Sequence, residues 1–306
     1  MVHDTAGDPI TGLKWTRKTT EKISRELLSA GLSVSRNTVG RLLKEQNYRL
    51  RVNHKKLAHA SSPHRNRQFD YIAEMRREYE RNALPIISVD TKKKELVGRF
   101  KNPGAVWSDS PLLVNDHDFR SEADGMAIPY GIFDLQANLG HVFIGTSHDT
   151  PRFAVTALMA WWADEARSRY PAATHLLILA DGGGSNSSRS RAWKFELQNF
   201  CDRFNLTVTV CHYPPATSKW NPIEHRLFSE ISKNWAGQPL ETYDTILNFV
   251  RTTTTASGLR VKATLLDGHF PTRVKISDRQ IKQLHLQPHI VLPQWNYSLA
   301  PASTKM

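Results

Sequence analysis

The chain has 306 residues, of which 40% are hydrophobic and 23% are charged, a composition that suits a packed globular core. Its formal net charge of +12 favours a polyanionic partner, although ribosomal association or simple solubility would give the same balance. No apolar run approaches the ~20 residues that cross a bilayer, and no signal peptide opens the chain. Cys201 and Cys211 form neither a CxxC pair nor a disulfide framework. We therefore expect a cytoplasmic protein without membrane contact.

Two amphipathic helices are predicted near the N-terminus. Thr19 or Thr20 can cap the first, and Ser35 can cap the second. The apolar positions are Ile23, Leu27 and Leu28 in the first helix and Val39, Leu42 and Leu43 in the second. The outward positions of the second helix are polar or basic, namely Arg36, Asn37, Arg41 and Lys44. Two such helices joined by a turn at Gly31 are typical of a helix-turn-helix, although an ordinary helical hairpin gives the same pattern.

A basic stretch follows at residues 47–67. It is rich in Arg, Lys and His, which favours a linker that lies over phosphates, although a solvated charged face is the more common structure for such a run. We group residues 1–66 as a helix-turn-helix DNA-binding segment with a basic linker.

Two short apolar runs predict buried strands that each end on an aspartate. One is Pro85-Ile86-Ile87-Ser88-Val89-Asp90, and the other is Leu176-Leu177-Ile178-Leu179-Ala180-Asp181. Three glycines follow the second run and allow backbone or ligand to approach its carboxylate. In an open α/β sheet, ligands usually bind at the carboxyl ends of the strands. A turn-capping aspartate is the alternative for each strand alone, but a buried charge requires a cation or hydrogen-bond donors.

The remaining segments complete a mixed α/β pattern. The predicted elements are a helix over 69–81, an irregular insertion over about 96–129, hairpin strands over 130–135 and 141–146, helices over 150–170 and 189–204, and a strand over 206–211. Asn221 and Pro222 then cap and start a helix with Glu224 in its first turn, where the helix dipole favours a carboxylate. This order predicts a mixed sheet with helices on both faces, in a domain over residues 67–240. Residues 241–306 are predicted as a C-terminal helix and extended segment.

Three carboxylates, Asp90, Asp181 and Glu224, come from two strand ends and one helix start. Oxygen ligands without a supporting set of Cys or His suit Mg²⁺ or Mn²⁺ rather than zinc. Two such cations about 3.5–4 Å apart stabilise the attacking and leaving oxygens in phosphoryl transfer. Each carboxylate alone is compatible with a structural role, but the three together indicate a metal site.

The stretches around these carboxylates resemble those of a known family. They are Val89-Asp90-Thr91-Lys92-Lys93-Lys94-Glu95, Ala180-Asp181-Gly182-Gly183-Gly184-Ser185-Asn186, and Thr217-Ser218-Lys219-Trp220-Asn221 with Ile223-Glu224-His225-Arg226-Leu227-Phe228. Together they resemble the bacterial DDE transposases of the ISAzo-type insertion sequences, and the similarity extends from Leu13 to Tyr297. The run Asn221-Pro222-Ile223-Glu224 also resembles the Glu motif of mariner-like transposases.

This resemblance implies a ribonuclease-H-like catalytic core, an α/β fold with a mixed sheet and flanking helices. It implies that Asp90, Asp181 and Glu224 bind two Mg²⁺ or Mn²⁺ ions and catalyse DNA strand cleavage and strand transfer at element ends. The expected partner is double-stranded DNA, both of the element ends and of the target, with a homo-oligomer formed on DNA in the nucleoid. Lys92 and Lys219, which lie within the matching motifs, are expected to contact this DNA.

Two other interpretations are compatible with parts of the sequence. Members of the family usually have a longer N-terminal region with further DNA-binding helices, whereas this chain starts close to the predicted helix-turn-helix. A truncated or inactive DNA-binding protein derived from a transposase is therefore the alternative, although all three acidic residues are present. A nucleotide-binding enzyme that uses Gly182-Gly183-Gly184 as a phosphate loop is disfavoured, because no Gly-Lys-Ser or Gly-Lys-Thr follows.

Overall fold

A computed structural model of the chain describes residues 5–7, 14–16, 18–49 and 63–302. The chain divides into two units, Met1–Leu57 and Ala58–Met306. Because residues 50–62 are not among the described residues, most of the basic linker predicted over residues 47–67 lies outside them. No helix in the described ranges is long and apolar enough to cross a bilayer.

The described part of the first unit contains an antiparallel strand pair and two helices. Their bounds are β1 (Thr5–Gly7), β2 (Lys14–Thr16), α1 (Thr20–Ser29) and α2 (Arg36–Glu45). The Thr19 hydroxyl accepts a hydrogen bond from the Lys22 amide, and the Ser35 hydroxyl accepts one from the Thr38 amide. Gly31, with a φ of +84°, follows α1 in the left-handed conformation that glycine adopts readily. The predicted helix starts and the intervening glycine turn are thus confirmed.

The apolar contact between α1 and α2 is smaller than the sequence predicts. Ile23 and Val39 are buried as expected, but Leu28 is 62% exposed and Leu42 is 40% exposed. The prediction that Leu42 points inward is wrong, and among the described residues each of these 10-residue helices buries a single side chain. The side predicted to face outward is exposed at all of its positions, Arg36, Asn37, Arg41 and Lys44. A helix pair is therefore present, and its identity as a helix-turn-helix stays a prediction.

The second unit alternates helices and strands along the chain. Its elements are α3 (Arg65–Arg81), β3 (Ile86–Thr91), β4 (Glu95–Val97), β5 (Gly125–Asp134), β6 (Leu139–Gly145), α4 (Pro151–Trp161), α5 (Arg167–Arg169), β7 (His175–Ala180), α6 (Arg191–Phe204), β8 (Thr207–His212), α7 (Ser229–Asn234), α8 (Tyr243–Arg251), β9 (Arg260–Leu266), α9 (Asp278–Lys282), β10 (Leu286–Pro288) and β11 (Asn296–Leu299). π-Helical turns occupy Trp162–Ala166, between α4 and α5, and Glu224–Phe228, immediately before α7. Short 3-10 turns lie at Arg120–Glu122, Gly184–Asn186 and Ser218–Trp220.

The strands of this unit form one mixed sheet. Its order is β10-β11-β8-β7-β3-β5-β6-β9, and β4 pairs with the first residues of β5. Strands β3, β7 and β8 are parallel to one another, β5 is antiparallel to β3 and β6, and β6 is parallel to β9. The central order β6-β5-β3-β7-β8, with helices on both faces, is the ribonuclease-H-like arrangement implied by the sequence, and this prediction is confirmed.

Apolar layers cover both faces of the sheet. On one face, α4 and α6 pack on strand residues such as Ile87 and Val89. On the other face, α3, α8 and the Glu224–Phe228 turn pack on strand residues such as Ile86 and Leu179. Because side chains alternate along a strand, the even-numbered residues of β3 and the odd-numbered residues of β7 face this second layer. Polar residues at even-numbered positions of β3, or at odd-numbered positions in or directly after β7, therefore lie on the face of the sheet that the Glu224–Phe228 turn covers.

The C-terminal residues complete the same sheet. β9 extends it beside β6, and β11 joins it beside β8. Gln68 of α3 and Asn296 of β11 exchange buried side-chain amide hydrogen bonds of 2.7 Å, and Gln68 also donates to the His212 carbonyl at 2.8 Å. Residues 241–306, predicted as a C-terminal helix and extended segment apart from the main domain, thus belong to the same unit as the other strands.

Two boundaries differ from the sequence predictions. The insertion predicted over residues 96–129 is shorter, because β4 occupies Glu95–Val97 and β5 begins at Gly125. Pro129 argues against a strand in the sequence, so the start of β5 is not predicted. In the structure Pro129 pairs with Ile144 in the β5–β6 ladder. The single helix predicted over residues 150–170 is interrupted by the π-helical turn at Trp162–Ala166.

Gly131 of β5 lets the segment that carries Glu224 lie directly on the sheet. A Cβ at this glycine would stand 2.5 Å from Phe228 Cε1 and 2.8 Å from Ile223 Cδ1. Real Cβ atoms do not approach other atoms this closely, so glycine is required where the segment crosses the strand. Gly131 also pairs with Asp90 in the β3–β5 ladder. The close contact therefore sits beside one of the predicted site residues.

We expect Gly131→Ala to destabilise the second unit by about 1–3 kcal/mol, because the added methyl group must displace Phe228 and Ile223. Urea unfolding followed by tryptophan fluorescence measures this loss. Gly40→Ala in α2 is the control, since among the described residues a Cβ there would approach Thr20 Cγ2 at 3.9 Å, an ordinary van der Waals contact. The control should leave unfolding of the second unit unchanged, and an equally stable Gly131→Ala protein would contradict the close packing.

Candidate active site

Parallel pairing of β3 and β7 brings two of the predicted carboxylates together. In this ladder Val89 lies opposite Ala180, the last residue of β7. Asp90 is the next residue of β3 and Asp181 directly follows β7, and paired strands are about 4.8 Å apart. Because Asp90 is an even-numbered residue of β3 and Asp181 follows the odd-numbered residues of β7, both lie on the face that the Glu224–Phe228 turn covers. The two predicted strand ends therefore meet at the carboxyl edge of the sheet.

Hydrogen bonds to β3 hold the start of the segment that carries the third carboxylate. The Ser88 hydroxyl donates to Asn221 Oδ1, and the Asn221 side-chain amide donates to the Val89 carbonyl at 3.4 Å. The Ile223 amide donates to Ser88 Oγ at 3.1 Å. The sequence predicts Asn221 as a helix N-cap, but its side chain binds the neighbouring strand instead. This cross-link fixes the helix start against β3.

Glu224, the residue after Ile223, completes the predicted set. Its carboxyl lies within hydrogen-bonding reach of Asp90, and the charge of Asp181 also acts on it. The structure thus brings all three predicted carboxylates together, on one face and at one edge of the central strands.

Burial and mutual repulsion dominate the electrostatics of this cluster. Burial, followed by the charge of Asp181 and the other nearby carboxylates, raises the pKa of Asp90 to about 8. Burial also raises the pKa of Asp181 and of Glu224 above the usual carboxyl range. The site therefore concentrates negative charge that is unfavourable while it is not balanced by a cation.

Backbone amides orient the two aspartates. The Thr91 amide donates to Asp90 Oδ1 at 2.7 Å, and the Gly183 amide donates to Asp181 Oδ1 at 3.1 Å. Each bond lowers the pKa of its carboxyl, but burial has the larger effect. These bonds engage one oxygen of each aspartate and fix the direction of the other.

A fourth carboxylate, Asp149, belongs to the same cluster and is absent from the sequence predictions. It lies between β6 and Thr150, the N-cap of α4. The Thr91 hydroxyl donates to Asp149 Oδ1 at 3.1 Å, and the Asp149 charge raises the pKa of both Asp90 and Asp181. The available signal is the strand direction: β6 runs parallel to β3, so its carboxyl end reaches the same edge of the sheet.

The glycine-rich turn after β7 packs against this cluster. Gly184 has a φ of +61°, a conformation that favours glycine, and begins the turn Gly184–Asn186. Ser185 and Asn186 are buried, and the Tyr130 hydroxyl donates to Asn186 Oδ1 at 3.0 Å. Gly183 and Gly184 are themselves exposed, so burial in this turn is confined to the two polar residues that follow them.

The chemistry of the donor set fits a divalent metal. All four side chains offer carboxylate oxygens, which Mg²⁺ and Mn²⁺ prefer, and a cation would relieve their mutual repulsion. Across the described ranges, no three His, Cys, Asp or Glu side chains are spaced to enclose an ion as they stand. The fit therefore rests on donor type and charge rather than on a preformed cage.

The two lysines predicted to contact DNA have different environments. Lys219 is exposed, with its Nζ 5.3 Å from the ring centroid of Trp220, which is itself 50% exposed. The Lys92 side chain is only 10% exposed, pairs with Glu95 at 2.9 Å and lies 4.4 Å from the Trp235 ring centroid. The structure therefore argues against Lys92 as a DNA contact, because a paired and enclosed ammonium is not accessible to a phosphate.

His212, at the end of β8, is a further residue that the sequence predictions miss. It is fully buried, and its Nδ1 lies 2.9 Å from the carbonyl oxygen of Asp181. Burial lowers the pKa of His212 to about 4, so the ring is neutral at neutral pH. The signal in the sequence is a polar residue at the end of an apolar strand, the same feature that identifies Asp90.

The fold and the site together define a class: ribonuclease-H-like proteins with an acidic cluster at the carboxyl edge of the central strands. The chain belongs to the family described as the Rhodopirellula transposase DDE domain, whose sequence profile matches residues 1–301. The resemblance of the three acidic motifs to DDE transposases is thereby confirmed. A comparison with curated proteins finds no significant match.

Several solved structures of the Mos1 transposase are similar to the chain. A paired-end complex with the left transposon end is 16% identical, has a TM-score of 0.45 and covers 76% of this chain. The mariner Mos1 paired-end complexes with Mg and with Mn are 14% and 15% identical, have TM-scores of 0.46 and 0.43 and also cover 76% of this chain. The chain spans 65% of the length of each of these three structures.

Asp90→Asn should make the metal-free protein more stable than wild type at alkaline pH, by about 1 kcal/mol or more. Because the folded pKa of Asp90 is raised to about 8, ionisation destabilises the fold as pH rises through this window from the usual carboxyl range. The asparagine keeps an oxygen for the Thr91 amide and removes the charge.

Urea unfolding in chelator at about pH 5 and about pH 8 measures this difference, with exposed Asp164→Asn as the control. The stability gain of Asp90→Asn should grow between the two pH values, while the control stays parallel to wild type. A gain that does not change with pH would show that the fold does not raise the pKa of Asp90.

Proposed function

We propose that the protein is a DNA transposase that cleaves strands at the ends of an insertion sequence, in a metal-dependent reaction, and transfers them to target DNA. The observation that carries this proposal is the convergence of Asp90, Asp181 and Glu224 at the carboxyl edge of the central strands. Membership of the DDE transposase family supports it, because the carboxylates come from the three acidic motifs of the resemblance.

Asp90, Asp181 and Glu224 are the residues that would hold the divalent ions, with Asp149 next to them. When bound, two such ions supply Lewis acidity and balance the charge that develops on the attacking and leaving oxygens of a phosphodiester. The amides of residues 91 and 183 engage Oδ1 of each aspartate, which leaves Oδ2 of each for a ligand. Burial at the strand edge strengthens every electrostatic interaction made there.

The proposed chemistry needs no nucleophilic side chain. Water attacks the phosphodiester in the cleavage step, and the resulting 3′-hydroxyl attacks target DNA in the transfer step. The chain contributes positioning and charge in both steps, and the bonds among Ser88, Asn221 and Ile223 keep the third carboxylate in place.

We propose two separate groups of DNA contacts, the outward side of α2 in the first unit and exposed lysines close in sequence to the site in the second unit. The α2 residues are Arg36, Asn37, Arg41 and Lys44, which a helix-turn-helix would place in the major groove. Lys219 is exposed, and Lys93 and Lys94 are the exposed neighbours of the enclosed Lys92. The net charge of +12 supports a polyanionic partner of this kind.

We further propose that two or more copies act together on DNA in the nucleoid. In the described part of the chain, the clustered carboxylates form one site, whereas an insertion sequence has two ends. Assembly of two copies on one element would provide a site for each end.

Asp181→Asn should leave the protein folded and able to bind DNA, but reduce strand cleavage by at least about 100-fold. The substitution keeps the shape of the side chain and removes one negative ligand from an all-oxygen site. DNA affinity should be equal or slightly higher, since one negative charge near the phosphates is removed. The assay is cleavage of a labelled element end at saturating DNA, in Mg²⁺, in Mn²⁺ and in chelator.

Asp164→Asn, on the exposed surface, is again the matched control and should cleave at the wild-type rate. Cleavage by Asp181→Asn close to the wild-type rate would assign Asp181 to the turn and place the metal site elsewhere. DNA binding without any cleavage by the wild type, on its cognate ends and with either metal, would instead favour the inactive DNA-binding protein.

Replacing Arg41 and Lys44 together with Ala should weaken DNA binding and reduce the slope of log affinity against log salt by about 2, because two DNA phosphates are no longer neutralised. The measurement is fluorescence anisotropy of a labelled element end across a salt series. Arg77→Ala on α3 removes an exposed cation elsewhere and serves as the control. An unchanged affinity and slope in the double variant would leave α1 and α2 with a structural role only.

A further inference from the structure

A chain of buried hydrogen bonds leads from the core to the backbone of Asp181. The Trp193 indole Nε1 donates to the Tyr297 hydroxyl at 3.0 Å. The Tyr297 oxygen lies 3.1 Å from His212 Nε2, and His212 Nδ1 lies 2.9 Å from the Asp181 carbonyl oxygen. Trp193 and His212 are 0% exposed and Tyr297 is 1% exposed, so solvent does not reach these side chains.

The two ends of this chain fix the direction of every bond in it. An indole N–H can only donate, and a carbonyl oxygen can only accept. The Tyr297 oxygen therefore accepts from Trp193 and donates its own hydrogen to His212 Nε2. The ring proton of His212 then resides on Nδ1 and is donated to Asp181. In this arrangement each of the four buried groups has a partner, as buried polar groups require.

The last of these bonds is made where the strand ladder stops. β7 and β8 pair as far as Ala180 opposite His212, so Asp181 lies beyond the ladder. The Tyr213 amide donates to the Ala180 carbonyl at 2.8 Å, whereas the Asp181 carbonyl accepts from the His212 ring. The residues that follow Asp181 are three glycines, which have no side chains to anchor it.

We propose that His212 is a positioning residue for Asp181 and that Tyr297 holds it in the Nδ1–H tautomer. The ring fixes the peptide plane from which the Asp181 side chain extends, and so directs its carboxylate towards Asp90 on the neighbouring strand. This inference rests on the proposed role of Asp181 in DNA cleavage. Through Tyr297, strand β11 contributes to the site although it supplies no carboxylate.

The tautomer is observable directly and without DNA. In protein labelled with ¹³C and ¹⁵N at histidine, the His212 resonances are assigned by their loss in His212→Asn. We expect the Nδ1–H tautomer, whose Cδ2 and ring nitrogen shifts differ from those of the Nε2–H form. An Nε2–H tautomer in the wild type would overturn the proposal, whatever the activity of the protein.

A pair of variants of similar size separates positioning from packing. His212→Asn keeps an N–H donor for the Asp181 carbonyl, whereas His212→Leu has none. Both should lower the melting temperature. His212→Leu should weaken Mn²⁺ binding, followed by electron paramagnetic resonance of the free ion, by about tenfold or more, and His212→Asn should recover most of this loss. Equal weakening in both variants would make His212 a packing residue and reject the proposal.

A second pair tests Tyr297. Tyr297→Phe removes the donor to His212, while Tyr79→Phe removes a similarly buried hydroxyl that donates to Thr209 Oγ1, also on β8, at 2.9 Å. We expect the cleavage rate at saturating DNA to fall in Tyr297→Phe and to stay at the wild-type value in Tyr79→Phe, with comparable losses in melting temperature. Equal rates in the two variants would contradict the assignment to Tyr297.

These outcomes separate the inference from the proposed function. If the wild type cleaves no DNA, the proposed function fails, and the tautomer and Mn²⁺ measurements still decide the role of His212. If the wild type cleaves and His212→Leu matches it in both rate and Mn²⁺ affinity, the positioning role is wrong and the function stands. Should His212→Leu not fold, the wild-type tautomer and the Tyr297→Phe rate give the decision.

Discussion

Val89 lies opposite Ala180 in the parallel ladder between β3 and β7, and this register determines where two carboxylates meet. A slip of one residue would turn Asp90 or Asp181 to the other face of the sheet, because side chains alternate along a strand. Apolar layers cover both faces, so each alternate residue of the two strands is held by burial. The hydrophobic core thus supplies the free energy that keeps mutually repelling carboxylates side by side.

The bonds around this cluster fix positions and leave its charge unbalanced. The Ser88 hydroxyl and the Asn221 amide secure the helix start, and backbone amides hold one oxygen of each aspartate. A buried arginine or lysine in the same place would stabilise the metal-free protein but would compete with a divalent cation for the carboxylates. Neutral donors therefore suit the proposed metal site, because they leave its negative charge in place. Lys92 pairs with Glu95 and lies over the Trp235 ring, and its charge makes only a small contribution that lowers the pKa of Glu224.

The sequence is sufficient to predict the features that depend on local pattern. Apolar runs that end on Asp90 and Asp181 identify the central strands, and their polar ends identify the edge of the sheet where the carboxylates meet. It is insufficient for features set by packing between distant elements. Asp149 resembles an ordinary residue before a helix cap, Asn221 has the local pattern of a cap but bonds to β3, and Leu28 has helical periodicity but is 62% exposed. Such residues take their environment from strand order and layer geometry, which a single sequence does not encode locally.

Two adjacent residues of β11 show how far from the acidic motifs this geometry is controlled. Asn296 bonds to Gln68 in the layer on one face of the sheet, and Tyr297 bonds to Trp193 in the layer on the other. Both bonds lead to His212: Gln68 donates to its carbonyl, and Tyr297 binds its ring. The backbone carbonyl and the ring of His212 are thus bound by residues from opposite layers, and the ring also contacts the Asp181 carbonyl oxygen. A small displacement of β11 would therefore move His212 and, through it, Asp181, although this strand lies far from Asp181 in the sequence.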